Sequence, residues 1–467
     1  MFKSLRKPRE FYKSFFAMAV PVMLQNLIGS SLGLVDTFMV GTLGQNELGG
    51  LSIANTPFFV AMLFVFGLQS GGAVLMSQYW GKRDIPTINR VLGITWMFAV
   101  GASFIFATIV FIFPRAVMGL ITNNEAQLEV AVRYGRIVAY SYVLNSFTSI
   151  YIGARRSCES PQLGTAVVII GMGSNVVFNY IFIFGKLGFA PMGVEGAALG
   201  TLMARVVELI VVVAYMAVTQ RKPNQVLRLM PSRIFRPGLT IMKDFLRYAS
   251  PVMLNETLWG LGFSMYTVIF GHMATSGDVV PAYAVARNIE QIATVAMMAV
   301  ANATAVLVGK AVGAGESKEE VFSLSRTFIT IAMLSGLASG LILLIVLFTI
   351  LRPFVYPAFD LTDGAQRACT IILTLQGIFC LFRSFSSTLV VGVLRGGGDV
   401  NFGLFLDVSA MWLFAIPLGA IAGLVLGLDI LWVYLIIMSE ELIKFILGMI
   451  RFRGGKWIRN VTRDNVA

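Results

Sequence analysis

Long apolar stretches recur along the whole chain, and no soluble fold can absorb them. A helix crossing a hydrocarbon core of roughly 30 Å needs about 20 mostly apolar residues. Twelve such runs fall at 14–40, 47–78, 88–113, 127–152, 162–184, 194–218, 243–272, 279–310, 319–350, 364–392, 401–426 and 429–452. Only 13% of the residues are charged, against about 25% in ordinary soluble chains. The spans must be helices, because lipid cannot satisfy free backbone groups and the strand-like alternation of a barrel is absent. The first apolar run is too long for a cleavable signal, and no small-residue cleavage site follows it.

Charge then sets the orientation. The net charge of +12 would point to nucleic acid in a soluble chain. Here, however, 26 of the basic residues fall at the two termini and the even-numbered loops. They include Lys3, Arg6, Lys7, Lys82, Arg83, Arg155, Arg156, seven between Arg221 and Arg247, Arg395, and five from Arg451 to Arg463. The other side has Arg115, Lys186, Arg352 and Arg367. The positive-inside rule places both termini in the cytoplasm, so the charge reports topology and contact with anionic headgroups. A nucleic-acid partner is not expected. With a single His and no Cys-x-x-Cys among Cys158, Cys369 and Cys380, a zinc site, disulfide framework or resident cofactor is not expected either.

The chain repeats internally. Pro21-Val22-Met23-Leu24 recurs as Pro251-Val252-Met253-Leu254, Gly41 falls on Gly271, and Gly153-Ala-Arg-Arg156 matches Gly392-Val-Leu-Arg395. Three landmarks in order, at equivalent places in a six-helix pattern, indicate duplication. Both halves start on the same side, so they are parallel repeats. The expected fold is an all-α membrane protein with twelve transmembrane helices, in two six-helix repeats forming two lobes around a central cavity. The expected division is an N-lobe at 1–218, a cytoplasmic connector at 219–242, a C-lobe at 243–452 and a cytoplasmic tail at 453–467.

Polar residues inside the spans are costly, at roughly 2.5–3.5 kcal/mol for a charge at a helix centre on insertion scales. Asn26, Gly29, Gly33 and Asp36 form a small and polar stripe on helix 1. Gly171, Asn175 and Asn179 form another on helix 5, and helix 6 adds Thr201. A carboxylate with amide oxygens and a hydroxyl suits Na⁺ or a proton; the alternative is a hydrogen-bonded knot that only holds helices together. In the second half, Glu256 lies near the middle of helix 7. Tyr283, Arg287 and Glu290 share a face of helix 8, and Gln376 and Arg383 share a face of helix 10. This set is either a buried charge network that fixes packing or a titratable site tied to substrate. Asn26, Tyr266, Tyr283 and Gln376 are the candidate cavity residues. Glu440, Glu441 and Lys444 read as packing, Arg205 with Glu208 as a structural pair, and Arg395-Gly-Gly-Gly-Asp399 as a tight cytoplasmic turn.

Together these residues resemble the multidrug and toxic compound extrusion transporters. The likeness is carried by Pro-Val-Met-Leu opening each half, Val35-Asp36-Thr37-Phe-Met-Val-Gly41, Asn175-x-x-x-Asn179-Tyr-Ile-Phe-Ile-Phe-Gly185, and Leu394-Arg395-Gly396-x-Gly398-Asp399. It implies a two-lobed antiporter of the prokaryotic inner membrane, acting as a monomer, that expels cationic or aromatic compounds in exchange for Na⁺ or H⁺. The coupling cation would sit at Asp36, Asn175, Asn179 and Thr201. Some members carry Asp where this chain has Asn179. One branch uses a helix 7 acid, which Glu256 matches, together with a helix 10 Asp near 383–384, where this chain has Arg383 and Ser384. A lipid-linked sugar flippase of the same superfamily is the alternative, with Arg287 and Arg383 facing a pyrophosphate. An enzyme is not expected, because no H-E-x-x-H or Ser/His/Asp set is present.

Overall fold

Each apolar run closes its backbone hydrogen bonds internally as helix, and among the described residues no strand forms. The computed structural model describes residues 5–221, 226–358 and 361–464. Lys3, Lys222 and connector positions 223–225 lie outside the described residues. The transmembrane helices are α1 (Arg9–Gly41), α2 (Gln45–Gly81), α3 (Ile85–Ile112), α4 in two pieces (Glu125–Val138 and Ser141–Ser157), α5 (Gln162–Phe184) and α6 (Val194–Gln220). They continue as α7 (Leu239–His272), α8 in two pieces (Ser276–Ala293 and Val295–Gly313), α9 (Lys318–Val355), α10 (Asp363–Leu394), α11 (Val400–Val425) and α12 (Ile430–Arg453).

Nine helices among the described residues are long and apolar enough to cross a membrane unaided. The other three are α4, α7 and α12. α4 is interrupted at Ala139 and Tyr140. α7 carries Lys243, Asp244, Arg247 and Glu256, and α12 carries Glu440, Glu441 and Lys444. The run at 279–310 is likewise two helices meeting at Thr294, whose hydroxyl donates to the Glu290 carbonyl at 3.0 Å. The interruption at Thr294 falls four residues, about one turn, after Glu290.

Local sequence sets the ends. Asp84, Asn124, Ser317 and Asp429 cap α3, α4, α9 and α12 by accepting from backbone N–H groups. At α9 the cap is reciprocal: Glu320 accepts from the Ser317 backbone at 3.0 Å. α5 ends on Gly185 in the left-handed region at φ 65°, a conformation that suits glycine.

The chain packs as two compact units. One holds residues 24–253, with the described part of the connector; the other holds 5–23 with 254–463. Both divisions fall inside a helix, two residues after Pro21 and Pro251, where proline removes a backbone hydrogen bond. In the second unit Phe15, Phe328, Phe385 and Trp457 share one buried core.

Glycines bring particular helices together. A Cβ on Gly196 would fall 2.6 Å from the Phe182 carbonyl, so α5 and α6 meet backbone to backbone. A Cβ on Gly340 of α9 would fall 2.3 Å from the Gly377 carbonyl of α10. Gly340→Val therefore forces these helices apart and should cost about 1–3 kcal/mol. Thermal unfolding of the detergent-solubilised protein checks this, and an unchanged Tm would count against the close approach.

Candidate functional site

The α5–α6 contact positions a polar cluster in the first unit. Asn179 donates through Nδ2 to Asp36 Oδ1 at 2.6 Å and to Asn175 Oδ1 at 3.1 Å. Asn175 Nδ2 lies 3.4 Å from Thr201 Oγ1. All four residues anticipated from spacing thus meet, with Asn175 and Asn179 fully buried and Asp36 half-buried. Gly29 and Gly33, on the same stripe as Asp36, face open space, and Asn26 is half-buried.

Three further residues complete the cluster. Tyr134 of α4 hydrogen-bonds Thr201 and lies close to Asp36. Arg205, one turn along α6 from Thr201, is in electrostatic reach of Asp36. Glu208 holds it through one guanidinium nitrogen at 2.7 and 3.0 Å. The Arg205–Glu208 pair is present as expected, but it adjoins the site. Gly171 makes room for it, since a Cβ there would meet Glu208 Oε1 at 2.0 Å.

The donor set bears on what the cluster can hold. A bare cation needs converging oxygens, yet Asn179 turns one N–H of its amide toward Asp36, and the other N–H of that amide occupies the Asn175 oxygen. The Asn179 Oδ1 is buried without a partner and sits against Gly200, where a Cβ would lie 2.2 Å away. Among the described residues, no group of three or more His, Cys, Asp or Glu could hold a metal ion. One carboxylate bonded to an amide, with Arg205 in electrostatic reach, can take and release a proton while keeping a carbonyl acceptor for Asn179. Gly200→Ala would push Asn179 off Asp36. A loss of transport with Tm lowered by only a few degrees is expected, and unaltered transport would show that the Asn179–Asp36 bond is dispensable.

The second unit carries more buried charge than its sequence pattern suggested. Glu290 accepts from Arg383 in a close ion pair and from Gln376 Nε2 at 2.6 Å; Gln376 also donates to the Tyr434 hydroxyl at 2.9 Å. The α8–α10 pairing anticipated for Glu290 and Arg383 is therefore present. Glu256 does not join it. Its partner is Arg395, 2.6 Å away, with both side chains buried. Arg287 hydrogen-bonds Tyr283, which lies in electrostatic reach of Glu290 and Arg383, and stacks over the Phe263 ring at 4.6 Å. Tyr266, Tyr283 and Gln376 are buried within the packing rather than lining an open surface; the Tyr266 hydroxyl donates to Glu440 at 2.9 Å.

Sequence reasoning passed over the centre of this region. Lys444 lies 3.5 Å from Glu440, 3.8 Å from Glu441 and 3.6 Å from Asp407 of α11. Asn255 donates to Asp407 at 3.0 Å, and a small cleft beside them is lined by Trp259, Met411 and Trp412. The signal that could have found the cluster is three charges within five residues of a membrane helix. The Arg395-Gly-Gly-Gly-Asp399 turn is also buried rather than a free surface loop. Asp399 accepts from Arg451 at 2.7 Å and Arg459 at 3.3 Å, and Trp457 closes over Gly397.

A multi-pass helical chain with paired buried polar clusters, one in each unit, has the construction of a membrane transporter. The MatE family model matches residues 21–181 and 251–421, one copy in each half, and the chain belongs to this family. Among curated relatives it is 22% identical to the uncharacterized transporter YisQ of Bacillus subtilis, covering 98% of both chains. It is 21% identical to the probable multidrug resistance protein NorM of Thermotoga maritima, over 98% of this chain and 96% of that one. The fold is that of the MATE transporters, with twelve transmembrane helices. A crystal structure of MATE in the bent conformation superposes with a TM-score of 0.82 at 20% identity, covering 97% of this chain and 98% of that one. A MOP superfamily transporter from Pyrococcus furiosus, for which reverse polarity of the binding pocket suggests a different function, superposes at 0.80 with 21% identity over the same shares.

Proposed function

We propose that this chain is a secondary multidrug efflux antiporter of a prokaryotic inner membrane, acting as a monomer with both termini cytoplasmic. It exchanges organic cations and aromatic compounds for a coupling ion and has no enzymatic role. The observation that carries the reading is the Asp36–Asn179–Asn175–Thr201 cluster, a titratable carboxylate inside the first unit that is hydrogen-bonded to a neutral amide, with the Arg205–Glu208 pair beside it. The multidrug resistance relatives support the choice of substrate class.

Between H⁺ and Na⁺, the N–H that Asn179 gives to Asp36 favours H⁺. Ionised Asp36 accepts that bond with a full charge; protonated Asp36 still offers a carbonyl oxygen but accepts it more weakly. The ion couples to transport only by binding the inward- and outward-facing states unequally, and a weakened α1–α5 hydrogen bond supplies such a difference. The two halves of the internal repeat, joined through α1 and α7 at Pro21 and Pro251, are the lobes that move.

A lipid-linked sugar flippase is the second reading, kept open by the polarity of the Pyrococcus relative and by Arg287 and Arg383. Glu290 already neutralises Arg383, which weakens an anion site there. Binding of a fluorescent dye cation and of a lipid pyrophosphate to the purified protein separates the two. Saturable dye binding that falls with acidification is expected; saturable pyrophosphate binding with no dye binding would replace antiport by lipid export.

A further inference from the structure

The buried network of the second unit is short of hydrogens. It runs from Asn255 through Asp407 to Lys444, Glu440 and Tyr266, and from Glu441 past Arg383 to Glu290, Gln376 and Tyr434. Three of its buried polar atoms lack any partner: Asn255 Oδ1, Gln376 Oε1 and Glu441 Oε2. All three are acceptors. The charge balance leans the same way, with four acids (Glu290, Asp407, Glu440 and Glu441) against two bases (Arg383 and Lys444). Counting Arg287 on its Phe263 ring still leaves an excess acid. Uncompensated charge cannot be kept out of water at tolerable cost, so the network requires a further positive partner.

A metal ion does not fit that role. The position between Asp407, Glu440 and Glu441 is already held by the Lys444 ammonium, 3.5 to 3.8 Å from each carboxylate, and its charge repels a second cation. A proton needs only one free oxygen. Glu441 Oε2 is such an oxygen, on a side chain with 7% exposure. The Glu441 carboxylate is in electrostatic reach of Arg383 and Cys380 from α10 and Tyr266 from α7, with Glu440 and Lys444 on its own helix; Asp407 of α11 lies on the other side of Lys444, and Glu290 of α8 and Tyr434 lie beyond Arg383. We propose that the carboxylates around Lys444 are a second proton site, independent of Asp36, which takes up one exchangeable proton at Glu441 Oε2. Its role in transport rests on the antiport reading, but its existence does not. The proton belongs to the coupled set rather than to an isolated residue.

Infrared difference spectroscopy reads a buried protonated carboxyl directly and without a transport assay. In Asp36→Asn protein, a pH step should reveal a carboxyl band that titrates reversibly, and Glu441→Gln added to Asp36→Asn should remove it. Proton uptake on acidification, followed with an indicator dye, should fall by one proton per molecule in Glu441→Gln alone. Gln mimics the protonated carboxyl, so this variant should fold; Glu441→Asp, which keeps the acid, should retain a displaced band and serves if it does not. A band that survives Glu441→Gln, one that ignores pH, or none at all would overturn the proposal. Failure of Asp36→Asn to affect efflux would count against the antiport reading alone.

Discussion

Asp36→Asn should reduce ion-driven efflux by roughly 100-fold, the upper range of ordinary coupling free energies, while leaving a folded, membrane-inserted protein. Asparagine keeps the shape and one acceptor oxygen for Asn179 Nδ2, now 2.6 Å from Asp36 Oδ1, so packing of α1 on α5 survives. What disappears is the difference between two protonation states, and a group bound equally to both conformations shifts neither. Substrate binding should persist, whereas exchange driven by an imposed gradient should not. Gradient-driven efflux in proteoliposomes, normalised to reconstituted protein, checks the loss. Undiminished efflux would remove Asp36 from the mechanism.

Arg383→Met should be the most destabilising single substitution in the second unit, at about 3–5 kcal/mol, because it leaves the buried Glu290 carboxylate with Gln376 alone. Pairing it with Glu290→Gln removes the stranded charge and should restore most of the stability. Breaking a buried pair is costly, whereas replacing both partners with neutral groups is often tolerated. Thermal unfolding in detergent of the two singles and the double variant provides the test. A benign Arg383→Met, or a double variant no better than the single, would show that solvent reaches the pair more than its exposures of 17% and 10% imply.

Much of this was legible in the sequence, for identifiable reasons. Hydropathy located the helices because lipid enforces internal hydrogen bonding. It missed the breaks in α4 and α8 because neither depends on a charge or on a proline at the break; at α8 the only local mark is Thr294 bonding back to Glu290. Asp36, Asn175 and Asn179 stand out because each presents its polar group at helical spacing, and Thr201 because it is a hydroxyl within the apolar α6. Tyr134 does not, since its contact with Thr201 depends on how α4 crosses α6, which spacing within one helix cannot encode.

Depth was the other blind spot. Glu256 was grouped with Glu290 and Arg383 by half of the chain alone. Its partner Arg395 lies a dozen residues beyond Arg383, about 18 Å along a helix at 1.5 Å per residue, so one acid cannot reach both. Glu440 and Lys444 were read as an i,i+4 pair, which they are. Their meeting with Asp407 and Tyr266, from two other helices, made them the centre of a network.

Proton movement during exchange tests the role of Asp36 most directly. Proteoliposomes containing the protein and an internal pH dye, in Na⁺-free buffer without an imposed gradient, are given an organic cation from outside. Efflux-type exchange run in reverse should release internal protons as the cation enters, giving an alkaline shift that vanishes in Asp36→Asn. Cation entry with no pH change, appearing only when internal Na⁺ is supplied, would contradict proton coupling at the Asp36–Asn179 pair.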